Sequence, residues 1–125
     1  MNVTDWPLYR YTATVERVID GDTVQVNLSL GDRTYRTRRI RILGYDAPEL
    51  FSGSNREAGA AAKSALEHLL PPGERVYLAT QLDHTSFDRL LATLYVATEG
   101  GDLVDVADLM VAGGFGVSTR KVVQV

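Results

Sequence analysis

Between Thr23 and Leu30 the chain alternates without a break, setting Val24, Val26, Leu28 and Leu30 against Thr23, Gln25, Asn27 and Ser29. A period of two sends successive side chains to opposite faces, so this stretch predicts a half-buried β-strand and not an amphipathic helix. The preceding residues follow the same rule less cleanly, with Tyr9, Tyr11, Ala13, Val15 and Ile19 mostly apolar among polar neighbours. Asp20-Gly21-Asp22 supplies the turn between these strands, and Gly31-Asp32 is read as the loop into a third, roughly Thr34 to Leu43.

That hairpin sets a register. A two-residue loop at Gly31-Asp32 pairs Leu30 with Arg33 and places Asp22 opposite Arg41; a three-residue loop places Asp22 opposite Ile42. Directly opposed residues lie roughly 5 Å apart, so Asp22 and Arg41 are expected to be neighbours. Ile40 and Ile42 face the core, which turns Arg39 and Arg41 outward. Asp22 shares parity with core-facing Val24, so the Asp20-Gly21 turn or a bulge must re-aim its side chain.

After a loop from Gly44 to Gly53, Ser54-x-x-Glu57 reads as a capping box. It opens a helix carrying Ala58, Ala61, Ala62, Ala65, Leu66, Leu69 and Leu70 toward the core, and Pro71-Pro72-Gly73 stops it. Strands follow near Arg75 to Thr80 and Leu90 to Ala97, around a loop from Gln81 to Asp88. A short helix then runs from about Asp105 to Ala112 and ends at Gly113-Gly114. Three meandering strands, a helix, two strands and a second helix predict an α+β fold, a five-stranded barrel of the oligonucleotide/oligosaccharide-binding (OB) type with two helices. An open α+β sheet is the alternative.

The 125 residues suit a single domain, 1–125, with a core of about 9–120 and short tails. With 45% hydrophobic and 23% charged residues, neither disorder nor a membrane span is favoured, and the amino terminus lacks a secretory pattern. A cytoplasmic monomer with no membrane contact is the expectation. Zero cysteines exclude disulfides and thiolate metal sites, leaving oxygen ligands for any metal. A formal charge of −3 argues against binding nucleic acid through the overall field. Yet five arginines (Arg33, Arg36, Arg38, Arg39, Arg41) fall within nine positions, and guanidinium is the better fork for phosphate.

"VIDGDTVQV" (Val18 to Val26), "RILGYDAPE" (Arg41 to Glu49), "DRLLATLYV" (Asp88 to Val96) and "DLMVAGGFG" (Asp108 to Gly116) occur in the order and at about the separations found in one family. Over about residues 9 to 120 the chain resembles the staphylococcal nuclease (thermonuclease) family. The resemblance implies a five-stranded barrel with helices and calcium-dependent hydrolysis of phosphodiester bonds in DNA and RNA, leaving 3′-phosphate ends. By the same resemblance Asp22 and Asp46 would hold Ca2+, helped by the backbone carbonyl of Ala47. Arg41 and Arg89 would contact the scissile phosphate, and Glu49 would orient or deprotonate the attacking water. The residue types suit that chemistry: calcium takes carboxylate, carbonyl and water oxygens, and fixed arginines stabilise charge building on a phosphoryl group.

Several residues have plainer readings. Arg33, Arg36 and Arg38 read as a solvated strand face, and His68 and His84 as surface or packing residues. For Tyr35, Tyr45 and Phe87 both base stacking and packing stay open. The chain departs from the family where Asp88 replaces a glycine before Arg89, which sets it to pair with that arginine or repel phosphate. It also lacks two nucleotide-contacting tyrosines after the second helix, a place that Arg120 or Lys121 would fill with phosphate contacts. The reading is therefore a nuclease with nucleic acid, preferentially single-stranded, as substrate. Its rivals are a non-catalytic barrel binding nucleic acid or protein, and a structural component of a larger assembly.

Overall fold

The structure, a computed structural model, describes residues 1–6, 9–49 and 56–120. Strands β1 (Arg10–Asp20), β2 (Thr23–Gly31) and β3 (Thr34–Ile42) form the meander, followed by a two-residue strand β4 (Tyr45–Asp46). Helix α1 (Arg56–Leu69) leads to β5 (Arg75–Leu82) and β6 (Arg89–Ala97), and then to β7 (Leu103–Asp105), α2 (Val106–Ala112) and β8 (Val117–Ser118). The sheet runs β3-β2-β1-β5-β6-β7, and β3 also pairs with β6 in parallel. That last pairing closes β1, β2, β3, β5 and β6 into a five-stranded barrel. With two helices packed on it, this is the α+β, OB-type architecture the pattern predicted and the staphylococcal-nuclease-like one the resemblance implied, and the open sheet is excluded.

Most inward positions are those the alternation marks: Val24, Val26, Leu28, Ile40, Ile42, Val76, Leu78, Ala92 and Leu94 are buried, whereas Leu30 and Tyr9 are exposed and a register shift between Val15 and Arg17 buries Val18 in place of Ile19. Val106, Ala107 and Met110 of α2 close on the same cluster. In α1 the buried face is Gly59, Ala62 and Leu66, continued by Leu70, whereas Ala58 and Ala61 are exposed. The alanine-rich stripe expected to face the core is thus rotated, and alanine tolerates the exposure because it has little apolar side chain to leave wet. Ser54 of the expected capping box lies outside the described residues.

The hairpin corrects the predicted loop. Gly31 pairs with Thr34, so the two-residue turn is Asp32-Arg33, with φ of 50° and 56° as a mirror-image turn requires. Leu30 bulges out, and Gly31, at φ 87°, adopts the left-handed backbone that such a bulge favours. Thr23 therefore faces Arg41, and Asp22 comes opposite Ile42, whose N–H donates to the Asp22 carbonyl at 2.9 Å. This is the register of the three-residue alternative. A further difference lies in the loop after β3: β4 pairs with β8, joining Tyr45 to Ser118 and Asp46 to Val117. Backbone pairing to the carboxy-terminal segment thus anchors the stretch carrying Asp46.

Candidate functional site

The turn between β1 and β2 re-aims Asp22. Its N–H donates to Asp20 Oδ1 (3.1 Å), pulling the backbone out of strand geometry so that the carboxylate leaves the core face. Asp22 Oδ2 then accepts the Ala47 N–H at 3.0 Å, which ties the β1–β2 turn to the loop after β4. The Tyr45 hydroxyl makes a second tie, donating to the Gly21 carbonyl at 2.6 Å from a fully buried ring. Burial and the nearby Asp22 carboxylate hold that phenol far above its ordinary range, so it remains a donor. Gly21 is required by packing: a Cβ there would lie 2.7 Å from Ala47 Cβ and 2.8 Å from Ala62 Cβ.

Arg41 reaches across this junction. Nη2 meets Asp22 Oδ2 at 3.4 Å and makes a short contact with Asp46 Oδ1, while Nη1 donates to the carbonyls of Ile42 and Tyr45 (3.1 Å to the latter). The neighbourhood of Asp22 and Arg41 expected from the hairpin is therefore present despite the shifted register, because a long side chain spans one position. Burial raises the Asp22 pKa above the ordinary carboxylate value; the Ala47 N–H and Arg41 oppose this and Asp20 adds to it. Two carboxylates, Asp22 and Asp46, thus share one guanidinium, with Asp20 bonded to the Asp22 N–H beside them.

Arg89 opens β6, two residues before Leu91, the parallel partner of Arg41. The two arginines are diagonal neighbours, roughly 7–8 Å apart at the backbone. Both line a cavity of about 300 Å³ together with Asp46, Asp83, Thr85 and Thr119. Arg89 is held by Asp83, with Nε donating to Oδ2 at 2.7 Å. Asp83 also accepts from the Thr85 N–H (2.9 Å) and hydroxyl (2.5 Å), and these bonds lower its pKa from 3.8 to about 2. Asp83 is the residue that sequence reasoning passed over: Asp88, the expected partner of Arg89, instead gives its N–H to Ser86 Oγ. A carboxylate ending β5, six residues before the arginine, was the available signal.

Of the expected site residues, Asp22, Arg41, Asp46, Ala47 and Arg89 come together. Glu49 stands exposed on the same loop and is not among the residues lining the cavity. Ala47 contributes its N–H to Asp22. Arg120 does not enter the cavity; its guanidinium is taken by Asp105 and Asp108 at the start of α2. Thr119 is the residue of that segment lining the cavity. Lys121 lies outside the described residues. Tyr45 is core, while Tyr35 and Phe87 are exposed.

The donor chemistry suits a hard divalent cation. The oxygens of Asp22 and Asp46 converge on one guanidinium nitrogen, and the local charge is in negative surplus. Among the described residues no three His, Cys, Asp or Glu side chains are grouped to hold a metal. A cation here would therefore depend on two carboxylates with backbone and water oxygens.

No family model matches the chain. Across an alignment of 104 residues that covers 77% of the chain, it is 31% identical to a Bacillus subtilis (strain 168) protein named Endonuclease YhcR. The chain spans 8% of that protein's length, so the similarity concerns one part of a much larger molecule.

Proposed function

We propose that this chain is a nuclease domain that hydrolyses phosphodiester bonds in DNA or RNA. The observation carrying the reading is the pair of arginines, Arg41 and Arg89, presented by neighbouring strands to one cavity beside the Asp22 and Asp46 carboxylates. Two fixed guanidinium groups suit a phosphodiester, whose attack concentrates negative charge on the non-bridging oxygens. The similarity to part of a protein named endonuclease supports the same chemistry.

In this reading Asp22, Asp46 and the Ala47 carbonyl hold Ca2+, which when bound neutralises charge on a phosphoryl oxygen. Arg89, oriented by Asp83, and Arg41 clamp the phosphate. Glu49 takes a proton from water as the water oxygen bonds to phosphorus. The bond to the 5′ oxygen breaks with its electron pair going to that oxygen, leaving a 3′-phosphate. An exposed Glu49 on a loop anchored by the β4–β8 pairing can approach a bound substrate from solvent. Unpaired strands are the preferred substrate in this reading.

One observation favours a second reading, a barrel that binds nucleic acid without cutting it. Arg41 gives its donors to Asp22, Asp46 and two backbone carbonyls, and so must be released before it can grip a phosphate. The two readings separate in a cleavage assay on fluorescent single-stranded DNA and RNA, with calcium, with chelator, and with Glu49→Gln and Arg41→Ala proteins of intact fold. Turnover that needs calcium and falls about a hundredfold or more in both variants is the expected result. Binding without turnover on any substrate would overturn the nuclease reading.

A further inference from the structure

At the amino-terminal end of β3 the inward-facing row changes character. Ile42 and Ile40 are buried, and the next residues of the same parity are Arg38 and Arg36. Their cross-strand partners are Val26 and Leu28, both buried core residues. The two arginines therefore occupy core-facing positions and do not belong to the solvated outer face to which Arg39 turns. Here the barrel opens into a cavity of about 490 Å³, within the usual range for ligand sites.

The lining of this mouth is unusual in charge. Tyr9, Tyr11, Leu28, Leu30, Leu82 and His84 surround Arg36 and Arg38, and among the described residues no carboxylate lines it. Among the described residues neither arginine is in an ion pair. Arg38 Nε is buried with no hydrogen-bond partner among the described residues. A buried charged donor left unpaired is costly and rare, and marks a place where an acceptor is missing. Tyr9 adds a second irregularity. Its φ of 61° is unfavourable for an aromatic residue, yet both the N–H and the hydroxyl of Thr80 donate to its carbonyl, at 2.9 and 3.0 Å. Backbone strain of this kind gathers at ligand sites.

We infer that the barrel mouth is a second nucleic-acid subsite, in which Arg36 and Arg38 bind phosphate of a single strand while Tyr9 and Tyr11 stack on its bases. The inference rests on the nuclease reading for the identity of the partner. An anion lacking bases would satisfy the arginines but leave the exposed faces of Tyr9, Leu30 and Leu82 wet, whereas an unpaired strand uses both features. A duplex keeps its base faces stacked and offers nothing to the tyrosines. The mouth and the Arg41 cavity share the β5–β6 connection as a rim: Leu82, His84 and Leu90 face the mouth, and Asp83, Thr85 and Arg89 the cavity. A strand crossing that rim would touch both.

The test is fluorescence anisotropy of a labelled 12-nucleotide oligothymidine on the full chain in chelator, between 50 and 200 mM salt. Arg36→Gln and Arg38→Gln should each weaken binding about threefold or more and reduce the salt slope by about 0.7. Tyr9→Ala should weaken it about fivefold or more. Arg75→Gln, outside the mouth, should change it less than about twofold. Arg36 is exposed, so its variant tests the idea even if Arg38→Gln unfolds. Unchanged affinity and slope in the arginine variants, or no binding by the wild type, would overturn the subsite. So would competition by polyglutamate as strong as by unlabelled oligonucleotide with Tyr9→Ala silent, which would assign an acidic peptide. A wild type that binds through the mouth but never cuts removes the nuclease reading alone; one that cuts while the variants bind normally removes the subsite alone.

Discussion

Replacing Tyr45 with Phe isolates the bond that fastens the β1–β2 turn to β4. The ring is fully buried and Phe preserves its volume, so no cavity opens. What is lost is the 2.6 Å bond to the carbonyl of Gly21, a buried residue. Leaving a buried carbonyl without its donor costs about 1–3 kcal/mol. A 125-residue chain unfolds with an entropy of about 0.26 kcal/mol/K, so the melting temperature should fall by about 4–11 °C. Because Gly21 lies between Asp20 and Asp22, the substitution also loosens the carboxylate that Arg41 holds. A displacement on the order of 1 Å there can cost up to about a hundredfold in turnover. Differential scanning calorimetry and the oligonucleotide assay read the two effects. A melting temperature within about 1 °C of wild type would show that water or a backbone shift satisfies Gly21, and would refute the reasoning.

Two further substitutions probe the same framework. Gly21→Ala forces a methyl against Ala47 and Ala62 and should cost about 1–3 kcal/mol, read as a lowered urea midpoint with unchanged slope; an unmoved midpoint would show that α1 yields freely. Asp83→Asn removes a carboxylate whose pKa falls from 3.8 to about 2 on folding, so its contribution is full above about pH 4 and is lost as pH drops through about 2. The stability gap between wild type and Asp83→Asn should therefore narrow between pH 5 and 2, and urea midpoints showing a constant gap would contradict the hold of Thr85 and Arg89 on the Asp83 carboxylate.

Much of the barrel was legible because alternation is a direct physical record of which face is buried. The β2 pattern and the isoleucines of β3 placed the core correctly. The hairpin turn was misplaced by one residue because Gly31 suits a bulge as well as a loop, and local sequence does not distinguish them. The β4–β8 pairing was illegible for a different reason. It joins two-residue strands more than seventy positions apart, too short to show a period, and depends on α2 folding between them. Within the site, motif order brought Asp22, Arg41, Asp46 and Arg89 to one place, but Asp83 acts through a contact that only the β5–β6 connection creates.

The arginine run shows most clearly where composition misleads and parity informs. Read as one cluster, five arginines in nine positions suggest a single basic face. On β3 the run divides: Arg39 and Arg41 take the outer face and Arg36 and Arg38 the inner one, while Arg33 sits in the turn. Within the inner pair Arg38 is the more telling, since a solvated face carries charge without consequence, whereas its buried Nε must offset desolvation. Alternation continued past Ile40 puts Arg38, partly buried, and Arg36, exposed at the rim, on the inner side, against the expectation of a solvated face. Two arginines there, opposite Val26 and Leu28, make the barrel mouth a place where an anion stabilises the fold that binds it. A strand of nucleic acid should therefore raise the melting temperature of the wild type more than that of Arg36→Gln, even in chelator.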